Sequence, residues 1–286
     1  TPLASGKNPF GAVSPGGGET SGSVSFDGSD DHLNITGSDL AFGTGNFTLE
    51  FWVYFSSSDS TLDTIMETRS NTSLSDGFLI GRFHTSGYEN KIALYTGGYR
   101  IASNSGVSNN TWTHVAVVRT GSTTKMYIDG VAQSTTYSDS NNYSNDDLII
   151  GENANNTYQL HGLISNFRMV KGTAVYTSNF TVPTATLTAV TNTKLLCCQS
   201  AVTVTDAAVT PGTITSNGDP QASGSTPFVT LPSSAVFYAS GADFTDGGPN
   251  SYTITKVGNG LTSGNNTSKS GGGSFRFDGS DTQQYF

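Results

Sequence analysis

In residues 46–55, large apolar side chains alternate strictly with polar or amphipathic ones, and this pattern constrains the fold more than any other feature of the sequence. One face of the extended segment would carry only large apolar side chains, namely Phe47, Leu49, Phe51, Val53 and Phe55. The other face would carry Thr48, Glu50, Trp52 and Tyr54. Because successive side chains of a strand point to opposite faces, the segment is predicted to be an antiparallel strand with one face in a core. Trp52 and Tyr54 indicate that its second face is not plain solvent surface either.

Further short apolar segments lie before and after this strand at short intervals, and they predict an all-β chain. The segments lie at residues 23–28, 77–83, 91–95, 111–119, 124–128, 147–150 and 161–170. Asp129 and Gly130 predict a tight hairpin turn, since both residue types accept the positive φ that such turns require. The 34 glycines and the charged fraction of 12% fit short strands joined by many turns and leave little material for exposed helices. The pattern therefore predicts a two-layer sandwich or a barrel of antiparallel strands.

Internal repeats divide the rest of the chain. The sequence DAAVTPGTITSNGDPQASG from Asp206 is similar to DGGPNSYTITKVGNGLTSG from Asp246. Two shorter repeats occur: VSFDGSD (24–30) recurs as FRFDGSD (275–281), and ASGKNPF (4–10) recurs as ASGSTPF (222–228). We interpret the echoes as tandem modules. The predicted division is an extended arm or linker at 1–22, a sandwich domain at 23–199, a Ser/Thr/Gly-rich β-repeat linker region at 200–270 and the start of a second similar module at 271–286.

Charge and motif content exclude several classes of function. A net charge of −9 without a basic cluster argues against nucleic acid, whose phosphates require clustered Lys and Arg. No apolar run reaches the roughly 20 residues that a membrane-spanning helix needs, so we expect no membrane insertion. The five glutamates lack the partner carboxylate that glycoside hydrolysis requires. The four histidines form no metal-ligand pair, and no nucleophile-elbow motif occurs. The sequence therefore predicts a protein that is not an enzyme.

Four blocks of sequence carry a resemblance to a known family. The blocks SVSFDGSDDHLNI, FGTGNFTLEFWVYF, NTWTHVAVVRTGSTTKMYIDGVAQ and LIIGENANNTYQLHGLISNFRMVKGTAVYTSNFTVPT resemble laminin-G-like, concanavalin A-like jelly-roll domains over about residues 20–190. The resemblance implies an all-β fold of two antiparallel sheets packed face to face. The ending KGTAVYTSNFTVPT, followed by LLCCQS, is similar to domains of bacteriophage tail fibres and other virion proteins. This second resemblance implies a virion-surface setting.

Laminin-G-like relatives often hold calcium at a loop rim, so the resemblance also implies a candidate metal site. Its donors would be acidic and amide side chains in turns, because Ca²⁺ prefers oxygen ligands. The predicted donors are Asp30, Asp31, Asp146, Asp147, Glu152 and Asn153. The alternative interpretation is that these side chains cap turns and remain solvated.

Two loops mix tyrosine with asparagine, aspartate and serine, and they predict a ligand surface. The loops are YSDSNNYSN (137–145) and GENANNTY (151–158), and the tyrosines at 88, 95 and 99 have a similar setting. Aromatic rings stack on sugars while amides form hydrogen bonds with them, although the same composition occurs in ordinary polar turns. The residues predicted to bind a ligand are Tyr88, Tyr99, Asn141, Tyr143, Asn155 and Tyr158.

These observations lead to a function hypothesis and two rivals. The leading hypothesis is a virion structural protein, a tail-fibre or capsid-decoration component, that displays the jelly roll. Its expected partners are other copies of itself in a homo-oligomer such as a trimer, other virion proteins and host-surface glycans. The first rival is a secreted or cell-surface bacterial adhesin with tandem carbohydrate-binding modules. The second is the accessory domain of a carbohydrate-active enzyme.

Overall fold

The computed structural model describes residues 21–57 and 61–228, together with four short backbone segments farther along the chain. The chain divides into one unit at residues 1–228 and a second at residues 229–286. Among the described residues, none forms a helix with the length and apolar character of a membrane span.

The first unit consists of β-strands. In chain order they are β1 (Ser23–Asp27), β2 (His32–Gly37), β3 (Phe47–Phe55), β4 (Leu62–Glu67), β5 (Leu79–Phe83), β6 (Lys91–Tyr95), β7 (Tyr99–Ala102), β8 (Trp112–Thr120), β9 (Thr123–Ile128), β10 (Val131–Ala132), β11 (Tyr137–Ser138), β12 (Leu148–Ile150), β13 (His161–Lys171), β14 (Thr193–Cys197), β15 (Ala207–Val209), β16 (Gly212–Asn217) and β17 (Gln221–Ser223).

The strands form two antiparallel sheets that make a jelly-roll sandwich, so the predicted fold class is confirmed. The first sheet has ten strands in the order β10-β9-β8-β3-β13-β1-β17, with β11 beside β9, β14 beside β13 and β15 beside β14. The second sheet has seven strands in the order β16-β2-β12-β4-β5-β6-β7. Every segment predicted to be a strand overlaps an observed strand.

The core between the sheets is formed by the apolar face of β3 and its counterparts on the opposite sheet. All five apolar side chains of the alternating segment are fully buried there, as predicted. Phe51 stacks on Phe167 of β13 with ring centroids 5.6 Å apart, and Phe47 stacks on Phe78 at 5.7 Å. Burial of such side chains away from water is the dominant favourable term in the stability of a sandwich without described helices.

The outer face of the first sheet is covered by the segment that connects β13 to β14. In this covering loop, residues 172–192, Tyr176 and Phe180 stack on each other at 3.6 Å and pack against Tyr127 of β9. Trp52 of β3 is also largely buried on this face. Trp52 and Tyr127 therefore occupy the outer layer rather than the layer between the sheets.

A buried ion pair lies beneath the covering loop. The Glu50 carboxylate accepts a hydrogen bond from Arg168 Nε at 2.9 Å and one from the Tyr176 hydroxyl at 2.8 Å, while His114 Nε2 lies 3.4 Å away. Burial raises the pKa of Glu50, but the contact with His114 and the charge of Arg168 outweigh it, so the pKa lies below its ordinary value. Glu50 is therefore held ionised in the interior.

The C-terminal strap, residues 207–228, adds strands to both sheets. β15 extends the first sheet beside β14, β16 pairs with β2 at the edge of the second sheet, and β17 pairs with β1 at the edge of the first. Phe228 then contacts the Trp52 ring edge-on, with centroids 6.1 Å apart. These strands lie in the stretch that was predicted to be a Ser/Thr/Gly-rich β-repeat linker region, and they cover edges that β1 and β2 would otherwise present.

The second unit is described only as two antiparallel pairs, β18 (Ala239–Ser240) with β19 (Thr245–Asp246) and β20 (Leu261–Gly264) with β21 (Ser274–Phe277). β21 falls in the echo FRFDGSD, as β1 falls in the original VSFDGSD. The predicted arm lies, up to residue 20, outside the described residues, and so does most of the predicted module at 271–286. The predicted domain boundaries stay predictions.

Replacing Phe228 with alanine is expected to loosen the strap, because the ring is only 9% exposed and packs on Trp52. We expect the free energy of unfolding to fall by about 2 kcal/mol, as for loss of a buried aromatic contact. In a Trp112→Phe background, where Trp52 is the remaining tryptophan, its fluorescence should shift to the red in Phe228→Ala. Val202→Ala, at an 83% exposed position, serves as the control, and equal stability of the two variants would contradict the prediction.

Replacing Glu50 with glutamine is expected to leave the buried Arg168 charge uncompensated and to cost about 3 kcal/mol at neutral pH. Since the folded-state pKa of Glu50 lies below its ordinary value of 4.5, its ionised form stabilises the fold above that pH. This contribution is lost as the pH falls through the folded-state pKa, so Glu50→Gln should flatten the acid side of the stability profile.

Urea unfolding from pH 7 down to about pH 2 measures both effects of Glu50→Gln. Asp39→Asn is the matched control, because Asp39 forms its ion pairs with Lys171 and Lys194 on the surface and should cost less than about 1 kcal/mol. A Glu50→Gln profile parallel to that of the unmodified protein would refute the pH assignment.

Candidate functional site

Aromatic side chains gather on the outer face of the second sheet. Leu62, Leu79 and Phe83 of β4 and β5 point away from the core and pack with half-buried tyrosines from β6, β7 and the loop between β5 and β6. We call Phe83, Tyr88, Tyr95 and Tyr99 the aromatic patch. Tyr88 stacks on Tyr99 at 3.8 Å, and Tyr99 meets Phe83 edge-on at 4.8 Å. A group of half-buried aromatic rings on one sheet face distinguishes this surface from ordinary polar solvent surface.

A pocket of about 220 Å³ opens beside the aromatic patch. We call it the tyrosine pocket; its lining combines apolar side chains of the sheet with polar side chains of two loops. The lining residues are Leu62, Arg69, Thr72, Leu79, Phe83, Tyr95, Asn153, Asn155, Thr157 and Tyr158. An apolar lining with a few fixed polar groups is the usual composition of a small-molecule site.

Arg69 is the cationic side chain of the tyrosine pocket, and it is held rigidly. Its Nε donates to the Glu67 carboxylate and its Nη1 donates to the Thr72 carbonyl at 2.7 Å. Both Arg69 and Glu67 are almost fully buried, and the guanidinium lies 5.4 Å from the centre of the Tyr95 ring. The pair therefore presents fixed hydrogen-bond donors to the pocket while its net charge is zero.

The loop at residues 151–160 forms the rim of the pocket and is tied down by its own polar side chains. The Asn153 amide oxygen accepts hydrogen bonds from the backbone N–H groups of Asn155 and Thr157, at 3.1 and 3.0 Å. Asn155 Nδ2 in turn donates to Thr72 Oγ1 at 2.8 Å, which joins the two loops that line the pocket. This network fixes the amide of Asn155 at the pocket mouth.

Tyr158 has a left-handed backbone conformation, with φ of 59°. Such a conformation is uncommon for a bulky side chain and costs about 1–3 kcal/mol, so it persists only where the surrounding structure imposes it. The ring is 39% exposed at the pocket. The loop thus holds a large aromatic side chain at the surface in a strained conformation, which is a feature of binding sites more than of simple turns.

The structure brings together part of the predicted ligand surface. Asn155 and Tyr158 line the tyrosine pocket, and Tyr88 and Tyr99 lie beside it in the aromatic patch. Among the residues that the prediction omitted are Arg69 and Phe83, since neither belongs to a Tyr- and Asn-rich loop.

Asn141 and Tyr143 lie elsewhere. Tyr143 is buried in the core, its hydroxyl donates to Asp139, and burial raises its pKa well above the ordinary value. Asn141 Nδ2 donates to the Tyr137 hydroxyl at 2.9 Å. The loop at 137–145 therefore directs these two polar groups into internal hydrogen bonds.

Asp27, Asp30 and Asp31 form an acidic cluster whose nearest oxygens lie within 4.8 Å of one another. The Asp31 carboxylate accepts hydrogen bonds from the backbone N–H groups of Asp27 at 2.9 Å and Asp219 at 2.7 Å. Burial of this side chain raises its pKa. Both oxygens of Asp31 are thus used to hold the C-terminal strap to the first turn, which fits a structural role better than ligation of an ion.

The other predicted calcium donors do not join this cluster. Asp146 Oδ1 accepts a hydrogen bond from the Ala41 N–H at 2.7 Å, and Asp147 is exposed. Glu152 Oε2 lies 2.8 Å from His32 Nδ1, and the Asn153 oxygen caps its own loop. The six side chains thus do not converge on one calcium ion. Among the described residues, Asp30 and Asp31 are the two of the six that belong to the acidic cluster with Asp27.

Comparison with protein families gives a family assignment. The model of the Laminin G 3 family, described as the concanavalin A-like lectin/glucanases superfamily, matches residues 27–193. The chain belongs to this family, and its first unit is a lectin-like jelly-roll module. Among curated proteins, no sequence matches the chain.

Solved structures share the fold at low sequence identity. A protein from Bacteroides ovatus, assigned provisionally to carbohydrate binding, is 16% identical with a TM-score of 0.50; the match covers 71% of this chain and 60% of that one. A heptameric pentraxin from Limulus polyphemus is 15% identical with a TM-score of 0.42, covering 55% and 78%. Domain 4 of an arabinanase from Geobacillus stearothermophilus, solved with arabinotriose, is 16% identical with a TM-score of 0.42, covering 54% and 72%.

The structural role of Asp31 can be separated from metal binding. Asp31→Asn replaces one of the two carboxylate oxygens that accept backbone hydrogen bonds with an NH2 group, which cannot accept. It should therefore lower the free energy of unfolding by about 1–2 kcal/mol in buffer that contains EDTA. Asp30→Asn, at an exposed position of the same cluster, is the control and should change little. Equal stability of Asp31→Asn and the unmodified protein in EDTA, with a difference only when calcium is added, would contradict the structural role.

Proposed function

We propose that the chain is a virion-surface structural protein, a phage tail-fibre or capsid-decoration component, whose jelly roll binds host-surface glycans through the tyrosine pocket. The observation that carries the glycan-binding part is the combination of aromatic rings with the fixed polar groups of Arg69 and Asn155 in one pocket. Sugars present both apolar C–H faces and hydroxyl groups, so they match a pocket of this composition.

Binding is favoured over catalysis because the pocket has no carboxylate in its lining. Hydrolysis of a glycosidic bond requires two carboxyl groups on opposite sides of the scissile bond. Glu67, which contacts the lining residue Arg69, is fully buried and is engaged by Arg69 and the Ala154 N–H. A module that holds sugar without cleaving it is consistent with the lectin branch of its superfamily description.

The virion setting rests on the resemblance of residues 171–184 and 195–200 to phage virion domains. Residues 171–184 include much of the covering loop, whose Tyr176 and Phe180 pack on the outer face of the first sheet. The proposal includes a homo-oligomer, such as a trimer, in contact with other virion proteins. The rival function, a secreted or cell-surface bacterial adhesin, uses the same pocket in another location.

A glycan array tests the binding proposal. We expect the unmodified protein to bind a subset of glycans, and Tyr95→Ala and Tyr158→Ala to reduce that signal by at least about tenfold through loss of aromatic contact. Trp112→Ala, on the first sheet beside Tyr54, is the matched aromatic control and should retain binding. Absence of glycan binding, or binding that survives both pocket variants, would overturn the proposal.

Immunogold electron microscopy with an antibody to the jelly roll tests the location. Label on tails or capsids of purified virions supports the virion proposal. Label on bacterial cell envelopes, with unlabelled virions, refutes it in favour of the adhesin.

A further inference from the structure

The charge of the tyrosine pocket limits the kind of sugar that it can hold. Arg69 is the one Lys or Arg side chain in the lining, and Glu67 already neutralises it. An acidic sugar would have to give up the hydration of its carboxylate without gaining an unpaired cation, which is unfavourable. The net charge of −9 on the whole chain adds a further repulsion for anionic ligands. The pocket therefore suits an uncharged sugar.

The size of the pocket limits how much of a glycan enters it. Its volume of about 220 Å³ is below the roughly 300–1,000 Å³ of pockets that enclose drug-sized ligands. A single sugar ring is a ligand of the appropriate size. A glycan chain would thus place one ring in the pocket and continue outside it.

The aromatic patch provides a surface for the next ring. Phe83 and Tyr95 line the pocket and also contact Tyr99, at centroid distances of 4.8 and 5.4 Å. Tyr88 extends the surface by stacking on Tyr99, and the Tyr99 hydroxyl is fixed by Thr85 Oγ1 at 3.0 Å. The aromatic surface is therefore continuous from the pocket to Tyr88, and its tyrosines are half-buried rather than covered.

We infer that the site takes a neutral oligosaccharide of at least two rings, with one ring in the tyrosine pocket and the next on Tyr99 and Tyr88. This inference rests on the proposed glycan-binding function and specifies its ligand class. The absence of an unpaired cation in the pocket lining disfavours uronic and sialic acids. The pocket volume admits one sugar ring, and the aromatic patch adds affinity for a second ring.

Isothermal titration calorimetry with a defined panel tests the inference. The probes are the methyl glycosides of glucose, galactose and mannose, the disaccharides of each, and the methyl glycosides of glucuronate, galacturonate and mannuronate as charged counterparts. For the preferred sugar we expect the disaccharide to bind about tenfold more tightly than the methyl glycoside, a difference typical of one added aromatic contact. We expect its uronate to bind at least about tenfold more weakly than the methyl glycoside.

Variants assign these effects to the two surfaces. Tyr99→Ala should reduce the disaccharide affinity by a larger factor than the methyl glycoside affinity, so that the ratio of the two affinities falls from about tenfold toward one. Tyr99→Phe, which keeps the ring and loses only the hydrogen bond to Thr85, should retain the advantage of the disaccharide. Tyr158→Ala should weaken both ligands.

The outcomes separate this inference from the function on which it rests. If no saccharide of the panel or the array binds, the glycan-binding function itself is refuted, together with the inference. If saccharides bind but uronates bind equally well, or the disaccharide has no advantage, or Tyr99→Ala weakens both ligands alike, the function stands and the ligand class inferred here is overturned.

Discussion

The pairing of β3 with β13 is the contact on which the other parts of the sandwich depend. β13 pairs with β3 along one side, while its other side is shared by β1 near its beginning and β14 near its end. A register shift between Ser165 and Arg168 brings Arg168 opposite Glu50, so the same pairing creates the buried ion pair on the outer face. Both faces of β3 are therefore buried, one by the second sheet and one by the covering loop, whose Tyr176 contacts Glu50.

The strands that could be predicted from the sequence are those with a clear pattern of apolar side chains. β3 alternates strictly and β8 contains Val115, Val117 and Val118, and the predicted bounds of both strands differ from the observed ones by at most one residue at each end. In β4, Asp63, Thr64 and Glu67 interrupt the apolar side chains, so Leu62–Glu67 shows no strand pattern although all six residues are buried. β16 and β17 are short and polar, and they become strands because β2 and β1 offer edges to pair with.

The candidate site was partly predictable for a related reason. Loop composition identified Asn155 and Tyr158, because tyrosine and asparagine in a loop are unusual enough to be noticed. The same composition placed Tyr143 in the prediction, although its ring turns into the core and packs on Phe78. Arg69 enters the pocket only because β4 pairs with β5, and composition contains no information about that pairing. Loop chemistry thus predicts the kinds of residue in a site better than it predicts which loops form it.

The C-terminal strap has a consequence for how the protein is made. Ser23 and Ser225, which are joined by a hydrogen bond, lie 202 positions apart, so β1 leaves the ribosome long before β17 exists. At about 5–20 residues per second, the N-terminal strand waits on the order of 10–40 s for its partner. During that time the nascent sheet presents strand edges to neighbouring nascent chains, and expression of a segment that ends before β16, such as residues 21–200, would make that exposure permanent. The chain must be translated through Phe228 before the sandwich that it encodes is closed.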